Sequence, residues 1–113
     1  MLWNYFKHLK KLAPIYIGVM DEDENSIPAH YVILEDLTFD EGFQSGDGLS
    51  LLRKKTYNIR IYARTREKAE EIVKEYRKVL LEKGFQFNQF GPTYDPTSAF
   101  YSTLISGDTV YGV

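Results

Sequence analysis

The stretch TYNIRIYAR, residues 56–64, limits the possible folds more than any other. Tyr57, Ile59, Ile61 and Ala63 fall on one side of an extended chain, and Asn58, Arg60, Tyr62 and Arg64 fall on the other. This is the period-two pattern of a strand covered on one face. Immediately afterwards the period changes. Thr65 carries the hydroxyl that caps a helix, and Ala69, Ile72, Val73, Tyr76, Val79 and Leu80 recur at spacings of three and four until Gly84. A half-covered strand that runs into a helix with one apolar stripe requires the two to bury each other, so the helix lies on a sheet. On the opposite side of that helix Glu70 and Lys74, and Lys78 and Glu82, stand four residues apart. Such pairs contribute about 0.2–0.5 kcal/mol each and serve solubility.

The flanking segments extend the pattern. Leu2, Tyr5, Phe6, Leu9 and Leu12 predict a short helix over residues 2–12 that Pro14 stops, with Lys7, Lys10 and Lys11 forming a solvated basic end. IYIGVM (15–20) and AHYVILEDLTF (29–39) read as strands, and the polar turn DEDENSIP between them predicts a hairpin. After Gly84, FQFNQF alternates, GPTYDPT breaks the chain twice at proline, and AFYSTLIS returns to strand composition, giving two more strands. The order predicts a single α+β domain over residues 1–113. Its sheet has four to five strands and is mostly antiparallel or mixed, with the short N-terminal helix and the long helix on one face.

Composition and spacing remove several kinds of chemistry. With 43% apolar and 15% aromatic residues the chain has the material for a core, and a net charge of −2 argues against a broad nucleic-acid footprint. The absence of cysteine excludes disulfides, thiolate metal sites and a cysteine nucleophile. The N-terminal lysines follow the first apolar residues and no long apolar run exists, so neither a signal peptide nor a membrane span is expected. Asp21, Asp23 and Asn25 occupy the first, third and fifth places of a calcium loop, but Ser26 and Val32 stand where that loop needs Gly and Glu. The GDG at residues 46–48 lacks the Lys-Ser/Thr of a phosphate loop, and Ser45 is not in a nucleophile elbow. His8 and His30 have no carboxylate at a suggestive spacing, and Glu35 with Asp36 and Asp40 with Glu41 read as solvated acids. No catalytic, cofactor or metal residue is expected, and neither is an enzyme.

Two surfaces remain. The segment FDEGFQSGDGLS (39–50) holds Gly42, Gly46 and Gly48, three acids and the apolar Phe43, and predicts a flexible loop at about 40–50 that a partner orders. Its candidate contact residues are Asp40, Glu41, Phe43, Gln44, Asp47 and Leu49. The second is a basic surface from Arg53, Lys54, Lys55, Arg60 and Arg64 beside Asn58 and Tyr62, which reads either as edge protection or as a stacking platform for a single strand of nucleic acid. Tyr16, Tyr57, Tyr62, Tyr94, Tyr101 and Tyr111 are further candidates for contact surface.

The sequence of segments also resembles a known family. A short N-terminal helix is followed by APIYIG, PAHYVILED, a polar gap, YNIRIYART leading into an amphipathic helix that ends LLEKGF, then KGFQF and a closing FYSTLISGDTVYGV. Nearly end to end, this resembles the tail terminator (tail completion) proteins of long-tailed bacteriophages and prophages. The resemblance implies an α+β subunit that forms a hexameric ring at the head-proximal end of the tail tube, stops its growth and permits head-tail joining. It implies the tail-tube protein and a head connector or head-completion protein as partners, with no cofactor, membrane or nucleic acid. The place implied is the virion tail, after synthesis in the bacterial cytoplasm. A small ligand-binding or regulatory α+β module and a nucleic-acid-binding module are the alternatives. A closed apolar pocket with converging polar groups favours the ligand module, and flat exposed patches favour assembly.

Overall fold

The strand-helix junction organises the whole molecule. A computed structural model describes residues 2–18, 27–39 and 52–112, and in it one mixed five-stranded sheet has the order β1-β2-β3-β5-β4. The strands are β1 (Ile15–Ile17), β2 (His30–Phe39), β3 (Leu52–Ala63), β4 (Asn88–Asp95) and β5 (Phe100–Gly112). The helices are α1 (Leu2–Phe6), continued by a 3₁₀ segment over Lys7–Lys11, and the long α2 (Arg66–Glu82). The fold is α+β, and its core lies on one face of the sheet. Val32 and Leu34 of β2, Tyr57, Ile59 and Ile61 of β3 and Ile105 of β5 share one buried cluster with Ile72, Val73, Tyr76, Val79 and Leu80 of α2, which Phe6, Leu9 and Ala13 close.

α2 forms as its sequence demands. Thr65 is extended, and its hydroxyl oxygen accepts from the Lys68 N–H at 3.2 Å, which satisfies one orphan donor of the first turn. All six residues of the apolar stripe are buried. At the other end Gly84 has φ +73° and the Phe85 N–H donates to the Leu80 carbonyl at 3.0 Å, so the last turn closes through a left-handed glycine. The exposed ion pairs differ from those the spacing suggests. Glu70 meets Arg66 at 3.1 Å and Lys78 meets Glu75 at 3.6 Å, because neighbours three and four residues away on both sides compete for the same charge.

Three expectations are corrected. β1 runs parallel to β2, with Ile15 opposite Val32 and Ile17 opposite Leu34, so the two do not form a hairpin. Residues 18–29 supply the connection of about a dozen residues that a parallel pair needs. The N-terminal helix is α-helical for little more than one turn and then tightens, with the Leu12 N–H donating to the Leu9 carbonyl at 2.9 Å. Phe6, Leu9 and Leu12 recur every three residues, and a 3₁₀ helix aligns that spacing on the core. Finally, β4 passes through Pro92 instead of breaking there. It is an edge strand, where a missing N–H is tolerated. Its pairing with β5 shifts register between Phe90 and Thr93, and Gly91 takes φ +106°.

One close approach fixes the start of β4 against the sheet. The Tyr57 hydroxyl donates to the Gln86 carbonyl at 3.0 Å, and a Cβ on Gly107 would collide with both partners. Gly107→Ala is therefore expected to lower stability by about 1–3 kcal/mol, the usual cost of overpacking. An unchanged midpoint in urea would show that the Gln86 backbone gives way freely.

Candidate functional site

Among the described residues both helices lie on the core face, and the other face of the sheet is bare. A sheet face left to water ordinarily turns polar residues outward. This one turns out rings and aliphatic side chains as well, among polar residues that include Asn58, Ser102 and Ser106. The register places Tyr31 opposite Tyr62, Ile33 opposite Arg60 and Glu35 opposite Asn58. It also sets Leu104 of β5 between Arg60 of β3 and Phe90 of β4.

At the end where β2 begins, the rings form one cluster. Tyr31 and Tyr62 stack at 4.8 Å with planes 22° apart. Phe100 meets them edge-on at 5.6 and 6.4 Å, and Tyr16 reaches Tyr31 from β1 at 6.2 Å. Phe100 is only 5% exposed although no helix covers it. Its cover is Arg64, whose guanidinium lies 3.8 Å from the ring centre and donates to the Ser98 carbonyl at 3.0 Å. Burial, then the neighbouring Tyr62, raises the Tyr31 hydroxyl above its ordinary pKa, so this ring stays neutral over the physiological range.

Further along the face, Arg60 is held by the Glu35 carboxylate. That hydrogen bond is the main reason the guanidinium sits above its already high pKa. An open cleft of about 220 Å³ lies beside it, lined by residues that include Arg60, Tyr62, Phe90, Thr93 and Leu104. Phe90 is 61% exposed. The face presents aromatic rings beside one matched charge pair, Arg60 with Glu35, and an arginine laid on Phe100.

Among the described residues no group of three or more His, Asp or Glu is placed to hold a metal ion, and no helix is long and apolar enough to cross a membrane. His30 starts β2 opposite Ala63. Burial and then the Lys68 charge lower its pKa, against a weaker opposing effect of Glu71, so the imidazole is neutral near pH 7.

Asp40, Glu41, Phe43, Gln44, Asp47 and Leu49 lie outside the described residues, as do Asp21, Asp23 and Asn25. Arg53, Lys54 and Lys55 belong to β3, opposite Tyr111, Val110 and Thr109 of β5. Arg60 and Arg64 do share the helix-free face with Tyr62. Glu35 pairs with Arg60, and Arg64 lies on Phe100 and donates to the Ser98 carbonyl. Of the candidate tyrosines, Tyr57 is in the core, Tyr62 is in the stack, and Tyr94, half exposed, leans on Tyr101 at 5.0 Å.

Sequence reasoning missed Tyr31, Ile33, Phe90, Phe100 and Leu104. In HYVILED and FYSTLIS both alternating sets carry apolar residues, so period alone cannot say which set meets the helices. Register against Ile59 and Ile61 decides it. No protein-family model matches this chain, and no curated protein matches it at a significant level.

Proposed function

We propose that the chain is a non-enzymatic assembly subunit, one that forms a hexameric ring on the head-proximal end of a bacteriophage tail tube, ends tube growth and offers the surface for head joining. The observation that carries the assembly part is the bare sheet face. It carries a cluster of Tyr and Phe rings with Ile33 and Leu104 among polar residues, and its arginines are engaged within the face, a make-up found in protein-protein interfaces. Its cleft, about 220 Å³ and open, is smaller than the ~300–1,000 Å³ of small-ligand pockets. A closed ring needs one patch of a subunit to meet a different patch of the next and needs no catalytic group. The phage setting rests on the resemblance in segment order.

The test is reconstitution. Purified chain and tail-tube protein are mixed, then followed by light scattering and by electron microscopy of tube ends. Wild-type protein is expected to cap the tubes as rings. Phe90→Glu, at an exposed position, is expected to melt normally and to bind tube ends about tenfold more weakly, equivalent to ~1.4 kcal/mol. A wild-type protein that stays monomeric and ignores tube ends would overturn the reading. Retention of a single-stranded oligonucleotide that is lost in Tyr62→Ala would replace it with nucleic-acid binding.

A further inference from the structure

On the helix side of the sheet a groove of about 400 Å³ runs between α2 and β4, lined by Val73, Leu81 and Pro92 together with Glu70, Lys74, Arg77, Lys78 and Gln89. Leu81 is 65% exposed there. The charged rim is one-sided, with three cations against one carboxylate. Arg77 donates to Gln89 at 3.1 Å and so stands fixed at the wall. Lys78 has only a loose pair with Glu75 at 3.6 Å, and Lys74 has no ion pair among the described residues. This is a basic, apolar-lined groove on a chain whose net charge is −2.

Its chemical complement is in the same sequence. Residues 40–49, DEGFQSGDGL, carry Asp40, Glu41 and Asp47, no cation, and a single aromatic side chain at Phe43. We propose that the groove between α2 and β4 receives residues 40–49 of a neighbouring copy, with Phe43 seated against Leu81 and the acids facing Lys74 and Lys78. The volume lies within the ~300–1,000 Å³ of side-chain and ligand pockets, and opposite charges on the two surfaces set orientation and partner choice. The segment leaves the sheet between Phe39 of β2 and Leu52 of β3, whereas the groove borders β4 at the edge beyond β5. Donor and acceptor are different parts of the surface, so the contact is able to repeat head-to-tail, the arrangement that builds rings. The proposal rests on the reading that this chain assembles with itself, and it names the contact.

The chain has no cysteine, so a disulfide between introduced cysteines reports the contact directly. Phe43→Cys protein is mixed with Leu81→Cys protein in an oxidising thiol buffer and followed on denaturing gels. The cross-linked pair is expected to form about tenfold faster than with Lys10→Cys, an exposed site on the 3₁₀ segment. It is expected to slow about tenfold when the Leu81→Cys partner also carries Lys74→Glu and Lys78→Glu. A chain bearing both Phe43→Cys and Leu81→Cys should give a ladder of linked copies. An internally bonded monomer overturns the proposal, since the occupant is then the chain's own segment. Equal rates for Leu81→Cys and Lys10→Cys, or indifference to charge reversal, overturn it as well. No tube protein takes part, so failure here leaves the tube-capping result standing. Cross-linking without tube capping instead removes the phage reading and keeps the contact.

Discussion

Phe6→Ala is expected to remove about 3–5 kcal/mol of stability, the cost of truncating a fully buried phenylalanine. Phe6 has no exposed surface, and its ring stacks on that of Tyr76 at 4.8 Å with the planes 24° apart. It is the bolt between the N-terminal helix and α2. Its removal opens a cavity beside the largest buried side chain of the core and deprives Tyr76 of a ring partner. Domains of this kind hold only ~5–15 kcal/mol in total, so the variant sits near the threshold of unfolding. Urea denaturation measures the effect, with an unchanged slope showing that the midpoint reports stability. A loss below about 1 kcal/mol would mean that the N-terminal helix detaches without consequence for the rest.

Ile72→Ala follows closely, at about 2–5 kcal/mol. Ile72 is fully buried in the cluster that contains Ile59 and Ile61, at the middle of the α2 stripe. The cavity would lie between helix and sheet, where the strand backbone cannot collapse into it without losing its ladder on both sides. A loss below half a kilocalorie in the same denaturation experiment would show that α2 does not owe its place to this face.

What was legible in the sequence was what is decided locally. The cap at Thr65, the six-residue stripe and the stop at Gly84 are chemical instructions read within a few residues, and β3 declares its faces by strict alternation. The direction of β1 is not of that kind. Two short apolar runs around a polar turn look like a hairpin, and only the distant pairing of Ile15 with Val32 makes them parallel. Pro92 reads as a break until its strand is known to be an edge. The bare face was half legible. Tyr62 follows from alternation, but its companions Tyr31 and Phe100 arrive by register. The partners that occupy Arg60 and Arg64 lie 25 and 34 residues away in sequence.

The position of β5 has a consequence for how the chain is made. It is the last of the strands, yet it lies inside the sheet, between β3 and β4. While the ribosome is still delivering residues 100–112, β4 has no neighbour to join and β3 offers a bare backbone edge. The ladder that covers that edge pairs Ala63 with Tyr101 and Leu52 with Gly112, so it closes only once residues 100–112 have been made. Such late, non-local closure is slow. Until it happens, an open strand with aromatic side chains is a template for a second nascent chain. The interval before residues 100–112 join β3 is therefore when this sheet is most open to misassembly.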